Sequence, residues 1–235
     1  MTDENYEIEL PGGRRAGKYS GEVVDGIANG YGKFESQNSS GIDWYYEGNW
    51  KNGKMNGKGK AVFKGGEGGA QEGTFTDNEY TPTLVERTQE FWTRGSDRCQ
   101  FELTESEKTF IMNNASIIEG KDLSGLADKI DKTFNVEQFK KNPNSFSPAF
   151  VVVENTSIVQ ISEYEESGKT ITFCVADTED YDTTLYLYMI GSAEDVVEDS
   201  TADICFLPLD YTTYKNVSDS DVWAIAGVSV FFNVK

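Results

Sequence analysis

Two periodicities alternate along the chain. From Tyr19 to Phe75 apolar and aromatic residues fall on alternate positions between glycines, as in Tyr19-Ser-Gly21-Glu-Val23, Trp44-Tyr-Tyr46-Glu-Gly48-Asn-Trp50 and Thr74-Phe75. That period of two predicts strands of a half-buried sheet. Tyr19 to Val24 reads as a strand, Gly26 to Gly30 as its turn and Tyr31 to Phe34 as the returning strand. Trp44 to Trp50 and Gly57 to Phe63 read as a second hairpin about the turn dipeptide Asn52-Gly53. Beyond Thr81 glycine thins out and the pattern changes. Thr104-Glu-Ser-Glu107 has the spacing of a capping box and predicts a short helix over residues 105 to 114. Leu123 to Ile130 and Val136 to Lys141 read as further short helices, the latter stopped at Asn142-Pro143. From Ala149 onward five strands follow: Phe150 to Tyr164, Thr170 to Ala176, Thr184 to Ile190, Asp203 to Leu207 and Trp223 to Val234.

The glycines repeat. After Tyr19 they stand at 21, 26, 30 and 32; after Tyr46 they stand at 48, 53, 57 and 59, the same register 27 residues later. A decayed third copy starts at Gln71-Glu72-Gly73 and ends at Thr81-Pro82. A glycine opposite an aromatic on the neighbouring strand lets the ring lie flat across the sheet. One hairpin cannot bury its own face, so copies stack. These residues resemble the MORN repeat family, over residues 15 to 80, with Ser36 to Ile42 inserted as a longer loop between copies. The resemblance implies an antiparallel hairpin array and a role in contact with proteins or, in some members, phospholipid.

The fold class predicted is mostly β (α+β). An antiparallel hairpin array spans residues 1 to 80, a helical connector 81 to 145, and a small five-stranded β-barrel 146 to 235. A split of the last five strands into separate sheets is the alternative. Lys141-Asn-Pro-Asn144, Ile158-Val-Gln160, Asp180-Tyr-Asp182 and Tyr211-Thr-Thr-Tyr214 resemble an OB-like domain found at the C-termini of uncharacterised proteins from Gram-positive bacteria. Where that domain has Gly-Asp-x-Val-x-Val-Tyr-Gly in its fourth strand, this chain has Ser200-Thr-Ala-Asp203-Ile-Cys-Phe-Leu207-Pro208.

Composition narrows the function. The chain has 235 residues, 21 Lys and Arg against 40 Asp and Glu, a net charge of −19, and no histidine. Without imidazole there is no Ser-His-Asp triad, Cys-His dyad or His-ligated zinc. Nucleic acid is disfavoured because its backbone would meet a strongly acidic chain. Membrane lipid is disfavoured because residues 11 to 80 carry nine cationic and nine anionic side chains, with no basic stripe for headgroups. The densest carboxylate run, Asp177-Thr-Glu179-Asp180-Tyr-Asp182, lacks the glycine and distal glutamate of a calcium loop. It reads as a solvated hairpin, and no catalytic residue, metal or cofactor is assigned. Cys99, Cys174 and Cys205 have no CxxC spacing, and the last two lie in strand-like apolar runs. The polar N-terminus lacks a basic n-region and an apolar h-region, and the longest apolar stretch is too short for a bilayer. A cytoplasmic chain is the expectation.

The aromatics allow two readings. As packing rings over glycine they belong to a core; on an open face they form a binding surface. Trp44, Tyr45 and Trp50 are the candidate partner-binding residues for an unidentified protein, with Trp44 and Trp50 on one face and Tyr45 on the other. Tyr164, Tyr186 and Tyr188 are the candidates for a small carbohydrate or cation on the barrel. The function expected is a non-enzymatic binding or scaffolding module acting through the aromatic face of the array. Ligand binding by the barrel is the alternative.

Overall fold

Asp25-Gly26, Asn52-Gly53 and Asp77-Asn78 each reverse the chain with both residues at positive φ, near +50° and then near +79°, +79° and +76°. Two successive positive φ values define the primed hairpin turn, whose twist matches the strands it joins. The computed structural model describes residues 1–64, 70–93, 99–120, 122–166, 168–216 and 218–235. The chain divides into two compact units, Met1–Thr83 and Leu84–Lys235.

The first unit is one antiparallel sheet in chain order: β1 (Thr2–Leu10), β2 (Gly13–Val24), β3 (Ile27–Gln37), β4 (Asp43–Lys51), β5 (Lys54–Phe63), β6 (Ala70–Thr76) and β7 (Glu79–Thr81). The first turn is tighter than the sequence suggests. It is Asp25-Gly26, and β3 has already begun at Ile27. Gly30, at φ +99°, lies inside β3 opposite a register shift between Gly21 and Val23. The inserted loop is Asn38 to Ile42, where the Asn38 Oδ1 accepts from Ser40 N at 2.9 Å and Ile42 N at 3.0 Å. The repeat phase places Gly21, Gly32, Gly48, Gly59 and Gly73 directly opposite one another across five strands. Tyr19 and Tyr46 lie over this row. A Cβ on Gly32 would stand 2.3 Å from the Tyr19 hydroxyl, and one on Gly59 the same distance from the Tyr46 hydroxyl.

The second unit holds the remaining strands, β8 (Val151–Glu166), β9 (Lys169–Asp177), β10 (Thr184–Ile190), β11 (Thr201–Lys215) and β12 (Asp221–Val234). They pair in the order β8-β9-β10-β12-β11, and β11 returns to β8, closing a five-stranded barrel. Every pair is antiparallel except β10 with β12. The long β8 serves two neighbours, β11 along residues 151 to 157 and β9 along 157 to 166, and it bends at Asn155, where φ is +56°. The strands form one closed barrel, so the alternative of separate sheets does not hold. β11 runs far past the predicted Leu207. Pro208 interrupts the apolar pattern but sits at a bulge, and Asp210 to Lys215 go on pairing with β12.

Helices α1 (Leu84–Thr93), α2 (Glu105–Asn113), α3 (Ala115–Ile118) and α4 (Val136–Lys141) precede the barrel. Thr104 and Glu107 form the capping box reciprocally at the start of α2. The helix read over Leu123 to Ile130 shrinks to a single 3-10 turn at Ala127–Lys129, because Gly125 takes φ +74°. The segment from 84 to 126 does not stand apart from the barrel. Leu84, Phe91, Trp92, Ile111 and Ile118 share one core with outward residues of β9, β10, β11 and β12, among them Tyr186, Tyr188, Leu207 and Val228. The barrel lumen is a second core, drawing Ile158, Cys174, Leu187, Ile204 and Ile225 from all five strands, with Phe139 of α4 joining it.

Candidate functional site

The two faces of the hairpin array differ in kind, and alternation assigns each side chain. The inner face carries Tyr19, Phe34, Trp44, Tyr46, Trp50, Met55 and Phe75 in one buried cluster, which Ile8 of β1 also enters. Its rings interlock edge to face: Trp50 meets Tyr19 at 5.4 Å and Tyr46 at 5.3 Å between centroids, and Phe75 meets Tyr46 at 4.8 Å. The polar atoms are satisfied within the sheet. Tyr19 donates to Glu22 O at 2.7 Å, Tyr46 to Asn49 O at 2.9 Å, and Trp50 Nε1 to Gly32 O at 3.1 Å. Burial pushes both tyrosine hydroxyls up to about 12.

Trp44 and Trp50, candidates for the partner surface, therefore belong to the core. They are 5% and 3% exposed, and truncating them would open a cavity before it removed a contact. Tyr45 lies on the opposite, outer face. The Lys33 ammonium sits 4.7 Å from its ring centroid and is itself bonded to Glu35 at 2.7 Å. That bond draws the Glu35 carboxyl below its ordinary value and raises the lysine.

The outer face is organised as a row of alternating sign. Lys33, Glu47, Lys60 and Glu72 stand opposite one another on β3, β4, β5 and β6. Lys60 and Glu72 are 2.8 Å apart, and Glu47 accepts from the Tyr31 hydroxyl at 3.2 Å. Exposed pairs of this kind contribute little stability, about 0–1 kcal/mol each. Their regular alternation does leave no patch of one sign. Beside the row, Tyr31 is 53% exposed and borders a shallow trough with Asn49, Lys58 and Thr83. Tyr31 is the site residue that the sequence reading passes over. Its signal is its phase, since it is odd-numbered on β3 while the packing residues Ala28 and Phe34 are even.

The three barrel tyrosines are brought together, but not on an open surface. Tyr186 and Tyr188 point outward from β10 into the helical layer, where Phe91 lies 4.5 Å from Tyr188 and Trp92 lies 6.0 Å from Tyr186. Both are 5% exposed or less, and Tyr164 is half-buried against the same cluster. Tyr186 and Tyr188 thus lie under the helical layer, and of the three only Tyr164 keeps a partly open edge toward which a sugar or cation could come. Burial raises the Tyr188 hydroxyl well above its ordinary value, although the Arg87 charge opposes the shift. The acidic hairpin is exposed, and Asp180 caps its own turn, accepting from Thr178 Oγ1 at 2.7 Å and Asp182 N at 3.2 Å. Among the described residues no three His, Cys, Asp or Glu side chains are placed to hold a metal ion. Nor is any described helix long and apolar enough to cross a membrane. All three cysteines are buried and unpaired.

Fold and surface together define a hairpin-repeat protein, with a packed aromatic face and a polar face of mixed charge, joined to a helix-covered β-barrel. Residues 19–41 and 46–67 each match the MORN repeat family model. No curated protein matches the chain. MORN repeats are in general associated with protein or membrane-lipid interaction.

Proposed function

We propose that the chain is a non-enzymatic binding or scaffolding module that recognises a protein partner through the outer face of its hairpin array, centred on Tyr31 and Tyr45. The observation that carries this is the contrast between the faces. The inner aromatics are packed and hydrogen-bonded within the sheet, while the outer face presents Tyr31 at 53% exposure beside Lys33, Glu47, Lys60 and Glu72. Exposed tyrosines among paired charges suit a protein surface, where rings anchor and charges set register. The same alternation disfavours an anionic membrane, because each lysine of the row faces a carboxylate. We read the barrel as OB-like from its strand order and its parallel β10-β12 pair, and assign it a supporting role because α1 to α3 cover the outer wall.

The test is affinity capture on the full chain beside a Tyr31→Ala/Tyr45→Ala double variant. Both substitutions lie outside the buried cluster, and surface changes of this kind alter stability by about 0.5 kcal/mol or less. A protein retained by the parent chain and lost by the variant supports the reading. Equal retention by both sinks it.

A further inference from the structure

The rings of the inner face do not fill it. A cavity of about 250 Å³ remains, floored by Trp44, Met55, Ala61 and Phe75 and walled by Leu10 and Phe63. The floor residues are all 5% exposed or less, so the floor of the hollow is apolar, while Asn38 and Gln71 stand on its lining. At liquid density it would take about eight waters, each with few polar partners on such a floor.

One polar group at its mouth is unusual. Arg15 is half-buried and folded back on the β1–β2 turn, donating to Arg14 O at 2.9 Å and Gly12 O at 3.3 Å. Its neighbour Arg14 is held between Glu7 and Glu9, each at 3.3 Å. No carboxylate among the described residues pairs with Arg15 in the same way. Two of its five N–H groups are bound to carbonyls, which orients the guanidinium and leaves its other donors free for an anion. Asn78, also on the lining, has no such freedom: it accepts from Met55 N and donates to Glu9 O, both at 2.7 Å. The surroundings are therefore a chamber with an apolar floor, a rim that includes Asn38 and Gln71, and one oriented cation that no described carboxylate pairs with, the general composition of a small-ligand site.

We propose that this cavity binds a small monocarboxylate carrying one aromatic or branched apolar body, the body over Trp44 and Phe75 and the carboxylate on Arg15. The volume admits one ring with a short acid arm and excludes a lipid tail of ordinary length. A sugar is disfavoured because Trp44, Met55, Ala61 and Phe75 give the floor no polar side chain, so only the rim amides could meet its hydroxyls, and an amine because the charge at the mouth is positive.

The probes are 3-phenylpropanoate and its neutral amide, titrated into the full chain by calorimetry. A charge-assisted bond worth about 1.5–3 kcal/mol corresponds to roughly a tenfold to hundredfold preference for the acid. In Arg15→Gln that preference is expected to fall to about one while the amide still binds, because only the cation has gone. In Ala61→Leu both probes lose affinity as the chamber fills. Equal affinity of the parent chain for acid and amide, or no binding of either at millimolar concentration, overturns the proposal. Since the outer face plays no part, partner capture would be unaffected by that failure.

Discussion

Gly59→Ala is the smallest change that tests how the array is held together. A Cβ at this position would stand 2.3 Å from the Tyr46 hydroxyl and 2.4 Å from both Cε2 and Cζ of the ring. Ordinary contact needs about 1 Å more. Gly59 is not at positive φ, so the penalty comes from space alone. The ring has nowhere to go: it is fully buried, wedged between Trp50 and Phe75, and tethered to Asn49 O. Overpacking costs about 1–3 kcal/mol, and straining the hydroxyl's bond about 1 more. The sum, about 2–4 kcal/mol, should lower the melting temperature of a unit this size by roughly 10–25 °C. Hydrogen exchange of β4 and β5 amides in the full chain would report it locally. Repeating the change in Tyr46→Leu should recover most of the loss, a coupling above about 1.5 kcal/mol. Gly12→Ala is the control, since nothing lies within 4 Å of its would-be Cβ, and it should be neutral. A cost below about 0.5 kcal/mol for Gly59→Ala, or the same cost without the Tyr46 ring, would refute the ring-over-glycine account.

Trp50→Ala should destabilise the array by about 3–5 kcal/mol and abolish its near-UV dichroism, rather than leave a folded chain with weaker binding; undiminished stability would place the ring at the surface. Burial raises the carboxyls of Asp210 and Glu107 above their ordinary values, with the Asp210 charge adding to the shift at Glu107. The folded chain therefore holds these protons more tightly than the unfolded one, so their contribution is full below the unfolded carboxylate value and declines as pH rises through the raised values. Asp210→Asn, which can keep the bond from Tyr211 N, should raise the urea midpoint at pH 7 but not at pH 3, and a larger gain in acid would contradict this. The thiols of Cys99, Cys174 and Cys205 are pushed up to about 12 by burial and should react with a disulfide reagent only after unfolding. Rapid labelling of the native chain would show that one of them is accessible.

Much of this architecture is written locally. Asn52-Gly53 encodes its turn because both residues tolerate positive φ, and the equal glycine spacing after Tyr19 and Tyr46 encodes the row that the rings cover. Thr104 and Glu107 start α2 as their spacing requires, and α4 occupies Val136–Lys141, the bounds its sequence predicts. Of the elements that escape the reading, β1 and α1 are the longest, and their signals are present. Tyr6-Glu-Ile8-Glu-Leu10 alternates as β1, and Leu84, Thr88, Phe91 and Trp92 lie on one helical face as α1. The site is less legible, for a physical reason. Alternation says which side chains share a face but not which face another element covers. Ile8 of β1 packs into the face of Trp44 and Trp50, so those rings become core and Tyr45 stays outside. β10 carried a clearer warning. Leu185 and Leu187 point one way and Tyr186 and Tyr188 the other, and a strand apolar on both faces is covered on both.

The central claim is that the inner aromatic face is core and the outer face is the contact surface. Hydroxyl-radical footprinting of the full chain, alone and with its captured partner, tests both halves at once. Tyr31 and Tyr45 should be oxidised in the free chain and protected by the partner, with Trp50 unreactive throughout. Oxidation of Trp50 in the free chain, or a partner that leaves Tyr31 and Tyr45 as reactive as before, would contradict the account.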